Sequence, residues 1–297
     1  MYYPILRGKQ HEFSALKELA LINKFDKVVP VIEPVKKNLR DLIISIKKLN
    51  EKNIKPILIL NPNIGEYKGN SLLFYKTLQL EKLELQYTPC INMNNPGATD
   101  LIYSIDKYAL FFYNYFETGE LTKKSVLNFL PHDTEKSLIS NIENIVLYGD
   151  FFPKNKRNAD YPHESFLTDL NVNFNTNQNV IGYSDFTITP KKYSSSGGPA
   201  YVVAIHATYT DLNRNNYKYV KHYLSFDDNS TTDVGGKFFD ALNKLLNDVD
   251  NKKVSYYPTT ALDDFRHFRD RPHYPGLGIT KKISIKHHIE TINEFLK

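Results

Sequence analysis

The sequence predicts an α/β fold, and three observations lead there. Apolar runs without polar alternation recur along the chain, as strands buried on both faces require. Segments with helical spacing of their apolar residues lie between most of these runs. The runs number eight, which is the count a closed parallel barrel needs. The expected architecture is therefore a (β/α)8, TIM-like barrel, irregular around its last two strands. One barrel domain is expected over residues 1–297, with C-terminal helical additions from about residue 234. An open α/β sheet is the alternative, but no GxGxxG or GxxxxGKS/T phosphate loop follows any run.

The elements follow in order. Residues 2–6 (YYPIL) form the first run, which Arg7-Gly8-Lys9 ends. Residues 11–22 place Phe13, Leu16, Leu19 and Ala20 at helical spacing. Residues 28–32 (VVPVI) are stopped by Glu33-Pro34, and Asn38 can cap the helix LRDLIISIKKLNEK. Residues 56–60 (PILIL) end at Asn61-Pro62-Asn63, before a helix over about 71–83. Residues 87–91 (YTPCI) end at Asn92-Met93-Asn94, before the helix ATDLIYSIDK. Residues 108–113 (YALFFY) end at Asn114, before a helix near 121–130. A short helix at 137–143 precedes 144–148 (NIVLY), which ends at Gly149-Asp150.

Residues 151–179 show no clean period and read as loop. The last two runs are 180–188 (VIGYSDFTI) and 200–209 (AYVVAIHATY). The PKKYSSSGGP between them is too short for a crossover helix, so an antiparallel pairing is the other option there. NNYKYVKHYLSF then reads as an extra strand, a hairpin on the preceding one. Helices over 235–249, 262–270 and 283–295 complete the pattern.

Composition narrows the function. Apolar content of 41% and charged content of 24% are ordinary for a globular protein. The net charge of +5 is spread without a long like-charge run. Such an excess favours anionic partners in general: a small anionic or nucleotide-like ligand is expected, with nucleic acid the less favoured option. The lone Cys90 excludes an intrachain disulfide and a cysteine-built zinc site, and its run TPCIN suits a buried, inert thiol. No signal peptide is visible and no apolar run approaches a membrane span, so a cytoplasmic protein with no membrane partner is expected.

Barrel enzymes carry their sites at the carboxyl ends of the strands. Those ends supply Arg7 and Lys9, Glu33, Asn61 and Asn63, Asn92 and Asn94, Asn114, Asp150, Asp185 and His206. Asn and Asp also end strands because they favour turns. Asp185 and His206 are different, since each lies inside an apolar run. They fit either a buried His–Asp hydrogen bond pinning two strands or a general acid/base whose tautomer a carboxylate fixes. The expected catalytic set is His206, Asp185, Glu33 and Lys9. Arg7, Asn61, Asn63, Asn92, Gly197 and Gly198 are the expected substrate-binding residues, the glycines lying in a Ser/Gly loop able to cradle an anion. A divalent metal, Mg²⁺ or Mn²⁺, is the candidate cofactor, held by Glu33, Asp150 and Asp185 with His206 as a further ligand. The basic-aromatic run FRHFRDRPHY suggests a nucleic-acid surface, but Phe265 and Phe268, three apart, fit the buried stripe of a helix better.

Six phrases then carry a resemblance: YPILRGKQHEFSALKEL, PVIEPV, ILNPN, the Asn-Ala-Asp-Tyr-Pro run at 158–162, GYSDF and GGPAYVVAIHATY. Together they are similar to the phage "beta protein" family and its bacterial relatives, over the chain up to about Phe226. The resemblance implies a cytoplasmic, barrel-like protein of a phage, mobile or anti-phage defence locus, with a protein partner from the same locus as one option. Its characteristic positions here are Arg7, Gly8, Lys9, Glu33, Asn61, Pro62, Asp160, Tyr161, Pro162, Asp185, Gly197, Gly198 and His206. The resemblance assigns no reaction, and the rim residues leave two functions open. One is an enzyme, a hydrolase of a phosphate-bearing substrate such as a nucleotide or nucleic-acid end. The other is a non-catalytic protein that uses the barrel rim to recognise a ligand or partner.

Overall fold

The computed structural model describes residues 1–81, 84–114, 119–195 and 201–297. The chain groups into two compact units, Met1–Asp150 with Asn173–Phe186, and Phe151–Val172 with Thr187–Lys297.

The first unit is the barrel. Strands β1 (Ile5–Leu6), β2 (Val31–Ile32), β3 (Ile57–Ile59), β4 (Thr88–Asn92) and β5 (Ala109–Phe111) pair in sequence order, all parallel. Helices α1 (Gln10–Leu21), α2 (Arg40–Asn50), α3 (Leu72–Leu80) and α4 (Ala98–Ser104) connect them. After α5 (Glu120–Lys124) comes β6 (Asn128–Pro131), and after α6 (Lys136–Ile139) comes β7 (Ile145–Gly149). The chain then leaves the barrel through β8 (Glu164–Thr168) and α7 (Leu170–Asn173) and returns as β9 (Val180–Asp185), which pairs with β7. The result is an eight-stranded parallel sheet, β1-β2-β3-β4-β5-β6-β7-β9.

A parallel bridge between Tyr2 and Tyr183 brings the two end strands together, so the ring is nearly closed. Tyr3 N donates to Tyr183 O at 2.9 Å and Tyr183 N to Met1 O at 3.1 Å. Gly182 permits this seam, because a Cβ there would lie 2.5 Å from the Met1 carbonyl oxygen. Val31, Ile57, Ile59, Cys90, Phe111 and Phe129 are among the side chains of the buried cluster this sheet carries. Burial also pushes the Cys90 thiol well above its ordinary pKa, so it is inert at neutral pH.

Eight strands were expected, but two of the positions differ. The helix expected near 121–130 is one short turn followed by β6. Asn128 explains the break. Its Oδ1 accepts from Ser125 Oγ at 2.8 Å, and its Nδ2 donates to Thr122 O and Glu143 O, both at 3.0 Å. These bonds brace a turn where a helix would otherwise continue. Conversely, 200–209 is not a barrel strand.

In the second unit, β10 (Ala204–Asp211) and β11 (Tyr217–Leu224) form the expected hairpin. β8 adds antiparallel to β11, giving a separate sheet ordered β10-β11-β8. The 151–179 stretch thus contains a strand that its half-exposed pattern concealed. Ile205, Ala207 and Tyr223 of this sheet share a buried cluster with Phe238, Leu242 and Leu245 of α8 (Val234–Asp250) and with Leu262 and Phe265 of α9 (Thr260–Asp270). Phe265 therefore sits in the core, and α10 (Leu277–Leu296) contributes Ile283 to the same cluster. No helix among the described residues is long and apolar enough to cross a membrane.

Candidate functional site

The barrel brings some of the expected residues together. Arg7 and Glu33, just past β1 and β2, form a buried ion pair, and Tyr113 OH donates to Glu33 Oε1 at 3.2 Å. The Arg7 guanidinium also lies 4.7 Å from the centre of the Phe186 ring. Burial lowers the Arg7 pKa, while Tyr113, Glu12, Asp150 and Tyr148 oppose that shift. Lys9 is the N-cap just before α1, with its backbone N–H donating to Glu12 Oε2 at 3.1 Å.

The asparagines act as backbone braces. Asn61 Oδ1 accepts from Asn92 N at 2.8 Å and its Nδ2 donates to Asn92 O at 2.9 Å, continuing the β3–β4 ladder with a side chain. Asn92 Oδ1 accepts from Asn94 N at 3.1 Å, and Asn63 Oδ1 from Gly69 N at 2.8 Å. Gly197 and Gly198 lie outside the described residues.

Two expected constellations are corrected. Asp185 and His206 belong to different compact units, and each has another partner. Asp185 Oδ1 accepts from the buried Tyr2 OH at 2.6 Å, beside the barrel seam. His206 Nδ1 faces His222 Nδ1 at 2.8 Å. The expected metal set is not assembled either. Among the described residues, no three His, Cys, Asp or Glu side chains are grouped so as to hold an ion. Glu33 and Asp185 are turned to Arg7 and Tyr2, while Asp150 is exposed at the end of β7.

His206 itself lines a cleft of about 690 Å³ within the second unit. Strand alternation explains its orientation: Ile205 and Ala207 are in the sheet's core, so His206 lies on the opposite face. Its cross-strand neighbour is His222, directly opposite in the hairpin register. Phe152 sets its edge against both imidazoles, at 5.0 and 6.0 Å. Tyr161 meets His206 edge-on at 4.9 Å and stacks on His222 at 4.7 Å. On its far side, His222 Nε2 contacts Ser165 Oγ of β8 at 3.0 Å.

One wall of the cleft is the 151–163 segment, which is held in place by its own polar contacts. Asn158 Nδ2 donates to Val202 O at 2.8 Å, Asn155 Nδ2 to Asp160 O at 3.0 Å, and Arg157 forks Asp160 with a closest contact of 2.6 Å. Lys156, Arg157 and Lys281 give the lining three cations against one carboxylate, Asp227. Asp160 meets part of the Arg157 charge, and the lining as a whole keeps an excess of cations that attracts anions. Tyr201 adds an aromatic face, and Thr280 and Ser284 of α10 add hydroxyls.

Both histidines are neutral at neutral pH. Burial depresses His206 well below its ordinary value, with His222 and Lys281 adding to the effect. Burial alone takes His222 down to about 4. A neutral imidazole in a basic cleft can accept a proton but holds none to donate as an imidazolium. Sequence reasoning found His206, named Tyr161 only through the family resemblance, and missed His222, Ser165 and the lysines. His222 was detectable in principle, since it and His206 lie equally far on either side of the turn at Arg214. Comparison with protein-family models, with curated proteins and with solved structures found no match.

Proposed function

We propose that this TIM-like barrel protein is a hydrolase of a phosphate-bearing, aromatic substrate, a nucleotide or nucleic-acid end, bound in the His206 cleft. The resemblance to the phage "beta protein" family supports a role in a phage or anti-phage defence locus. One observation carries the reading: His206, neutral and lining the cleft, shares it with Lys156, Arg157 and Lys281 and with aromatic walls. A volume of about 690 Å³ is in the range of small-ligand sites. The lysines would hold phosphate oxygens and balance charge that builds on them. Tyr161 or Tyr201 would face a base, since every base presents a π-surface.

In the reaction, His206 takes a proton from water as the water oxygen bonds to phosphorus. The ester P–O bond breaks with its electron pair on the leaving oxygen, which recovers the proton from His206. A second reading, binding without turnover, is favoured by a different observation: among the described residues no carboxylate hydrogen-bonds His206, whose Nδ1 meets another imidazole. Nucleotides and short oligonucleotides, each with and without Mg²⁺ or Mn²⁺, would separate the two by phosphate release and by calorimetric titration. Hydrolysis lost on the order of 10²–10⁴-fold in a folded His206→Ala variant is expected. Binding by wild type without release establishes the recognition reading, and neither binding nor release overturns both.

A further inference from the structure

We infer that Ser165 and His222 are positioning residues that hold His206 in the tautomer presenting a bare Nε2 to the cleft. This rests on the reading of His206 as the base. Each neutral imidazole carries one N–H, so the contacts Ser165 Oγ···Nε2 His222 Nδ1···Nδ1 His206 admit only two self-consistent arrangements. In one, Ser165 donates to His222, His222 Nδ1–H donates to His206, and His206 shows an N–H at Nε2. In the other, His206 Nδ1–H donates to His222, His222 Nε2–H donates to Ser165, and His206 Nε2 keeps its lone pair.

The surroundings select the second. The His206 ring lines the cleft, and its Nε2 is neither sealed without a partner nor hydrogen-bonded among the described residues. The groups facing the pair are Phe152 and Tyr161 from the 151–172 segment, Ser165 from β8 and Lys281 from α10. The cleft that the His206 ring lines carries Lys156, Arg157 and Lys281 against one carboxylate, Asp227. An excess of cations around that cleft favours a lone pair at Nε2 over an N–H.

His222 then stands where a carboxylate commonly orients a catalytic imidazole. When Nε2 takes a proton from water or a hydroxyl, the new imidazolium keeps its Nδ1–H bonded to His222 Nδ1. No other proton leaves the pair, and His222 remains neutral throughout. A neutral acceptor stabilises the cation less than a carboxylate would, which fits a base used at low affinity for protons.

The tautomer is measurable without any substrate. Long-range ¹H–¹⁵N spectra of the full chain, labelled on histidine and assigned with His206→Gln and His222→Gln, should show His206 protonated at Nδ1 and His222 at Nε2. Ser165→Ala should mix the tautomers. A wild-type His206 protonated at Nε2 overturns the proposal. On turnover, His222→Gln keeps an acceptor and should stay within about threefold of wild type, while His222→Leu should lose on the order of 10²-fold in kcat with KM unchanged. Equal losses in the two folded variants, or none in His222→Leu, also overturn it. Wild type that hydrolyses nothing defeats the catalytic reading of the cleft, and the spectra alone then decide the tautomer.

Discussion

The two units differ in whether their expected functional polar groups face one another or a cleft. In the barrel unit the conspicuous polar side chains turn to one another: Arg7 to Glu33, Tyr2 to Asp185, and Asn61 to the backbone of Asn92. In the second unit His206, Lys156 and Lys281 line an open cleft, with His222 buried behind His206. Rim residues of a barrel invite a functional reading because many barrel enzymes work there. Here, however, polarity near the strand ends braces the fold, and chemistry is better sought where polar atoms still face a cleft.

The largest expected effect tests the barrel half of that contrast. Glu33→Leu would leave the Arg7 guanidinium buried beside Phe186 without its carboxylate, which should cost about 3–5 kcal/mol. Denaturant melts of wild type and variant measure it. A loss below about 1 kcal/mol would mean that the pair is open enough to bind something else, and the contrast between units would collapse.

A smaller effect, of opposite sign, comes from three buried lysines of the second unit. Lys237 is fully buried but meets Asp228 at 2.6 Å, and Lys286 meets Asp264 at 2.7 Å. Lys218 is also fully buried, yet no carboxylate pairs with it among the described residues. Its Nζ donates to Thr210 Oγ1 and lies 4.0 Å from the centre of the Phe295 ring. Burial alone takes its pKa down to about 7 from 10.5. The folded chain therefore holds this proton less tightly than the unfolded chain. Stability should fall as pH drops from about 10.5 to about 7 and level off below, the gradient totalling about 4–5 kcal/mol. Lys218→Met removes the gradient but also the Thr210 hydrogen bond, so a net gain of about 3 kcal/mol at pH 7 is expected. Lys237→Met should instead destabilise. Melts across that pH range for both variants decide the point, and a loss in Lys218→Met would show that the amine is solvated.

These cases show how much of the molecule was legible in the sequence. Runs such as PILIL and VVPVI announce buried parallel strands because both faces are covered, leaving no polar alternation to confuse them. β6 escaped because Asn128 interrupts its apolar run, and only the bonds of that side chain reveal the turn. β8 escaped because Phe166 is half exposed and its neighbours are mixed. His206 stood out as a histidine within an apolar run, but its partner depends on hairpin register, and register is fixed by a turn whose asparagines adopt positive φ. Asp185 was matched with the wrong partner for a related reason. Closing the ring brings the first residues of the chain to β9, so Tyr2 reaches Asp185 from 183 positions away in the sequence. Local pattern can locate such a residue but cannot choose among distant partners.

The smallest expected effect separates cations that only look alike. Arg266 and Arg269 of α9 belong to the densest basic run in the sequence, yet each is answered by acids. Arg269 meets Asp250 at 2.6 Å and Asp270 at 3.1 Å, and Arg266 meets Asp263 at 2.9 Å. These pairs are partly exposed, and such pairs contribute about 0–1 kcal/mol. Arg269→Ala should therefore shift stability by less than about 1 kcal/mol and leave nucleotide affinity unchanged. Lys281→Ala, which removes a cation from the cleft, should weaken nucleotide binding about tenfold, more so at low salt, where a lysine–phosphate attraction is least screened. Calorimetric titration of both variants at two ionic strengths measures the difference. Equal losses in the two would move the anion site from the His206 cleft to the α9 surface.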